Sequence, residues 1–144
     1  MTLFQKTLML GLVLAAGAAF AKEGVQDPTV KARMDAMQVI RMNVAKLGDM
    51  AGGKAAFDAA IAEAAKAAIT AQVAEVPGLF ETQATDPVSE AKADIWTNWP
   101  DFVSKADGLL TAASVLDATS LDGVRAGMGA IGGACKACHS TYRM

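Results

Sequence analysis

A chain of 144 residues with 13 basic and 15 acidic side chains is one domain's worth of protein with a formal charge of −2. Without a basic excess it offers no face for the phosphates of a nucleic acid. Two cysteines and one histidine are too few for a four-ligand structural zinc site, because no second pair completes it.

The first segment reads as an export signal. Lys6 is the one charge before an apolar run over residues 8–20, and Ala19-Phe20-Ala21 supplies the small-residue cleavage pattern. The run is short for a membrane span. Residues 1–21 are therefore read as a cleaved signal peptide, and residues 22–144 as a single domain delivered to the periplasm. Losing Lys6 leaves that domain one unit more acidic.

Four amphipathic helices follow. Asp27-Pro28 opens the first, as an N-cap followed by a proline whose missing N–H costs nothing there. Val30, Met34, Met37, Ile40, Val44, Leu47 and Ala51 recur at helical steps, and Gly52-Gly53 ends the run. The second helix is expected near Asp58, with Ile61, Ala65, Ala68, Ile69, Val73 and Val76 inward and Pro77-Gly78 as its stop. Residues 79–90 lack a period and form a long connection, and residues 91–96 suit a short turn. The third helix opens at Asn98 with Pro100 in its first turn, and buries Phe102, Val103, Ala106, Leu109, Leu110, Ala113 and Leu116. Thr119-Ser120 is the next N-cap. No strand pattern or fixed-period repeat is visible. The pattern predicts an all-α, antiparallel four-helix bundle.

The last helix carries the chemistry. Leu121, Val124, Met128, Ile131, Cys135, Cys138 and Tyr142 step by three and four, so both thiols share the inward face. Cys135-Lys136-Ala137-Cys138-His139 is the C-x-x-C-H pattern for covalent haem attachment. Two thiols three residues apart can add to the two vinyl groups of one haem. The imidazole immediately after the second is then held beneath the iron as proximal ligand. A redox dithiol would sit beside a strand–helix–strand pattern, and a disulfide between i and i+3 of a helix has poor geometry. Export agrees with the motif, since c-type haem is attached outside the cytoplasm. Gly123, Gly127, Gly129, Gly132 and Gly133 weaken this helix intrinsically, so close approach of a neighbouring helix or of the porphyrin is expected to explain them.

The sixth iron position has two readings. With one histidine in the chain, a second imidazole is excluded. A methionine thioether suits electron transfer, and Met34 and Met37, at i and i+3, share a helix face from which either can reach the iron while the other packs. Methionine at helical spacing also fills cores without any ligand role. A peroxidase would need a distal acid–base group such as a second histidine, so the chain is not read as an enzyme.

Haem attachment at the extreme C-terminus of a four-helix bundle resembles the cytochrome c′ family, the class II c-type cytochromes, including its low-spin, methionine-ligated members. The matching stretches are residues 33–37, 77–80, 95–96 and 135–143. The resemblance implies one haem c held by Cys135 and Cys138, with His139 as proximal ligand. It places Arg33 near the haem propionates, Phe80 in the haem pocket and Arg143 near the proximal imidazole; Met34, which shares a helix face with Met37, is read as lining the same pocket. Met37, four residues after Arg33, takes the distal side. If Met37 ligates the iron, the protein is an electron carrier between periplasmic or membrane redox proteins, and this is the reading adopted from sequence. If it does not, the iron is open to NO or CO. Members of the family are often homodimers through their first two helices, so the resemblance also implies a homodimer as one arrangement open to this chain.

Overall fold

The computed structural model describes residues 24–144; the expected signal peptide, residues 1–21, lies outside them. Asp27 starts helix α1 (Pro28–Ala51) by accepting from the N–H groups of Thr29 at 2.8 Å and Val30 at 2.9 Å. These satisfy two of the donors that a helix leaves unpaired at its N-terminus. Gly53, at φ +74°, turns the chain out of α1. Asp58 caps α2 (Ala59–Ala74) and Ser120 caps α6 (Leu121–Tyr142) in the same manner. Two short helices, α3 (Val76–Phe80) and α4 (Asp94–Thr97), flank an irregular segment, and Asn98 precedes α5 (Trp99–Ser114).

The long helices close a ring. α1 packs on α2 and α6, and α5 packs on the same two, which makes the expected antiparallel four-helix bundle. Leu47, Ile69, Ile131, Val73 and Val124 are among its fully buried side chains. Among the described residues the only extended pairing is an isolated bridge between Ala91 and Arg143.

Three details depart from the sequence reading. Pro77 does not stop the second helix. α2 ends at Ala74, and Pro77 sits in the first turn of α3, where its missing N–H is harmless. Ile61 is 48% exposed, and Ala62 takes the inward place in register with Ala65, Ile69 and Val73. On α1, Arg33, Ala36, Asn43 and Met50 are buried, whereas Met34, Met37 and Val44 are only half-buried because they face a cavity.

The glycines of α6 divide into two groups. A Cβ on Gly123 would lie 2.5 Å from the Asp117 carbonyl oxygen, and one on Gly127 would lie 2.4 Å from Leu116 Cδ1. The α5–α6 connection thus packs onto bare backbone at both positions. Gly129, Gly132 and Gly133 meet no neighbour within 4 Å, so close packing does not explain them. Gly129→Ala and Gly133→Ala are therefore each expected to stabilise the bundle by about 0.5–1 kcal/mol. Gly123→Ala should destabilise it by about 1–3 kcal/mol through overpacking. Urea unfolding of the three variants reads both signs.

Candidate haem site

A cavity of about 610 Å³ opens between α1, α5, α6 and the segment after α3. That volume falls within the range of about 300–1,000 Å³ usual for cofactor and ligand sites. All eight residues singled out from sequence line it. Cys135, Cys138 and His139 come from α6, Met34 and Met37 from α1, and Arg33, Phe80 and Arg143 complete the set. Residues up to 110 positions apart in the chain therefore meet at one place, because α1 and α6 are neighbours in the ring.

Burial pushes the thiols of Cys135 and Cys138 above their ordinary pKa, partly offset at Cys138 by the nearby Lys105 ammonium. Both are half-buried and free. His139 opens to solvent on one side, yet enough protein surrounds the ring for burial to lower its pKa, and Arg143 lowers it further. The neutral imidazole, the form with a lone pair for a metal, is the one favoured.

Arg33 is 3% exposed, so it is no solvated helix charge. Its Nε donates to the Leu79 carbonyl at 2.8 Å, Nη1 to Ala84 at 3.1 Å and Nη2 to Thr82. The guanidinium lies 4.6 Å from the Phe80 ring centroid and 5.4 Å from that of Trp96, whose Nε1 donates to the Phe80 carbonyl. Burial lowers the Arg33 pKa and Asp27 opposes the shift. Phe80 packs on Phe102 with ring centroids 5.0 Å apart, forming one apolar wall.

Several residues around the cavity were not singled out from sequence. Glu90 Oε2 accepts from Arg143 Nε at 2.6 Å and lies 2.5 Å from Nη2. Asp86 accepts from the N–H groups of Gln26, Asp27 and Val88, which ties the irregular segment to the start of α1 and holds the carboxyl below its usual pKa. Tyr142 is buried, and its hydroxyl donates to Asp101 Oδ2 at 2.5 Å. This bond and burial push the phenol up to about 12. A raised folded pKa means that this stabilisation is intact below pH 10 and is lost as pH climbs through about 12. Tyr142 is the chain's one tyrosine, so its phenolate absorbance follows the event directly. Stability is expected to fall across that window, and the part of the fall due to Tyr142 should vanish in Tyr142→Phe.

A family model described as cytochrome c′ matches residues 28–143. The chain belongs to the cytochrome c′ family. Among its relatives, cytochrome c′ of Rubrivivax gelatinosus is 32% identical over 120 residues, 79% of this chain and 92% of that one. The solved structure of the Rubrivivax cytochrome c′ superposes with a TM-score of 0.73 at 28% identity, over 81% of this chain and 94% of that one. Cytochrome c-556 of Agrobacterium fabrum is 32% identical over 140 residues, 95% of this chain and 88% of that one. A ferrous variant of Alcaligenes xylosoxidans cytochrome c′ with bound NO superposes with a TM-score of 0.70 at 27% identity, over 81% of this chain and 94% of that one. As a cytochrome c′ family member the protein carries one covalently bound haem c. The cavity fits that group. It is lined by apolar side chains, two half-buried thiols three residues apart, an imidazole kept neutral, and thioethers contributed by a second helix.

Proposed function

We propose that Cys135 and Cys138 hold the haem through thioether bonds, that His139 is its proximal ligand, and that the open distal face binds small neutral gases such as NO and CO. The observation carrying the gas-binding part is the relative with bound NO, whose fold extends over four-fifths of this chain. It reverses the order adopted from sequence, where electron transfer through Met37 came first. Bound haem supplies an iron that changes between ferrous and ferric states and accepts an axial ligand. His139 presents its imidazole from α6. Met34, Met37 and Phe80 present apolar surface that disfavours water and anions and tolerates a diatomic gas. Cys135 and Cys138, on one face of α6, would hold the haem by two covalent bonds.

Met37 supports a second reading. Its thioether stands in the cavity wall on α1, within the same cavity as His139, and a methionine bound at the sixth position would make the protein a one-electron carrier for redox partners. We place either activity in the periplasm, on the export signal read from residues 1–21. Among the described residues no helix is long and apolar enough to cross a membrane.

Optical and electron paramagnetic spectra separate the two readings. The ferric protein is expected to be high-spin, and the ferrous protein to bind CO. Met37→Leu should alter gas affinity about tenfold or less while leaving the spin state unchanged, because it swaps one apolar side chain for another of similar volume. A low-spin ferric spectrum with a thioether–iron band, converted to high-spin by Met37→Leu, would establish the electron carrier instead.

A further inference from the structure

We infer that Glu90 is a positioning residue for the proximal side of the haem: it holds the Arg143 guanidinium at the cavity rim and so sets how strongly that charge acts on the His139 ring. This rests on the site reading above, in which His139 ligates the iron.

The geometry is specific. One carboxylate oxygen of Glu90 engages both Nε and Nη2 of Arg143, at 2.6 and 2.5 Å. The backbones on either side are joined as well. Lys92 N–H donates to the Tyr142 carbonyl and Met144 N–H to the Glu90 carbonyl, both at 2.9 Å, around the bridge between Ala91 and Arg143. Lys92 Nζ adds a bond to the Thr141 carbonyl. Neither partner's backbone can drift, so the ion pair forms between fixed points.

That pair does little for stability. Both side chains are about half exposed, where ion pairs are screened and weak. Its location suggests a different use. Glu90, Arg143, His139 and Cys138 all line the haem cavity. Arg143 follows His139 by one helical turn, its N–H donates to the His139 carbonyl at 3.1 Å, and both side chains line the same cavity. An arginine with a long flexible stem and no anchor would sample the space beside the imidazole. With its fork held by Glu90 it stays at one distance. The segment after α3 thus reaches across the cavity mouth and places a charge on the far helix.

The test is a double-mutant cycle on the holoprotein, read as the midpoint reduction potential, which is measurable in either coordination state. Glu90→Gln removes a negative charge and releases the arginine, so the potential should shift upward. In an Arg143→Gln background the same substitution removes only the carboxylate charge, and the shift should be clearly smaller. Glu90→Asp, which keeps the charge and shortens the reach, should restore part of the parent potential. Equal shifts in both backgrounds, or no shift in either, would overturn the proposal, as would a change confined to the melting temperature. Failure of the underlying site is read separately: a parent holoprotein in which His139→Ala leaves the haem spectrum unchanged has no axial histidine there, and both conclusions fall.

Discussion

A chain carrying both Cys135→Ala and Cys138→Ala is expected to be exported without covalent haem, and to lose the packed native state with it. The second consequence follows from volume. The cavity measures about 610 Å³. At ~24 cal/mol per Å³, an unfilled void of that size costs about 15 kcal/mol, as much as the entire stability of an ordinary domain. The cavity opens to solvent, so water relieves part of this. It wets Met34, Met37, Val44 and Phe80 in doing so, and these apolar surfaces hold no polar groups to satisfy it. The bundle should collapse inward and keep helix while losing fixed packing. Denaturing mass spectrometry reads the first effect and near- against far-ultraviolet circular dichroism the second. Each single substitution leaves one thioether, and so should retain haem in reduced yield. Haem mass persisting on the doubly substituted chain would remove the foundation of the site.

What could be read in the sequence was local or periodic. Asp27-Pro28 and Ser120 cap helices through their own side chains, and the three-and-four spacing of α6 carries both thiols to the core face. The haem motif needs no tertiary information, because Cys135, Cys138 and His139 sit within two helical turns. What was missed depended on contrast or on distance. In alanine-rich α2, Ile61 and Ala62 are both apolar, and periodicity cannot rank them. Only the packing of α1 and α5 decides that Ala62 goes inward. Pro77 carries the same residue type at a helix end and at a helix start, and the sequence reading chose the wrong one. Arg33 had only the propionate role that the resemblance implies, because its partners lie 46 to 51 residues further on. They are backbone carbonyls, which no side-chain pattern announces. Glu90 fell in a stretch without period, where nothing marks one acid among several.

Arg33→Ala is expected to cost about 3–5 kcal/mol, because it leaves three backbone acceptors without their charged donor. The side chain is 3% exposed and donates to three backbone carbonyls, those of Leu79, Thr82 and Ala84. Each carbonyl left without its partner costs about 1–3 kcal/mol where it stays dry, and less where the exposed segment lets water in. Loss of the cation over the Phe80 and Trp96 rings adds about 0.5–2 kcal/mol. Arg33→Lys keeps the charge but presents it as a point, which cannot span three acceptors in a fork, so most of the loss should remain. The resemblance assigns Arg33 a different duty, contact with the haem propionates, and the two duties have different signatures. A staple for residues 79–84 predicts faster amide exchange through that segment and an earlier urea midpoint, with the haem spectrum and potential little changed. A propionate partner predicts a shifted potential with exchange in the segment unaltered. The guanidinium gives three donors to the chain, so the first pattern is the one expected. Exchange at parent rates in Arg33→Ala, together with an altered potential, would return Arg33 to the haem.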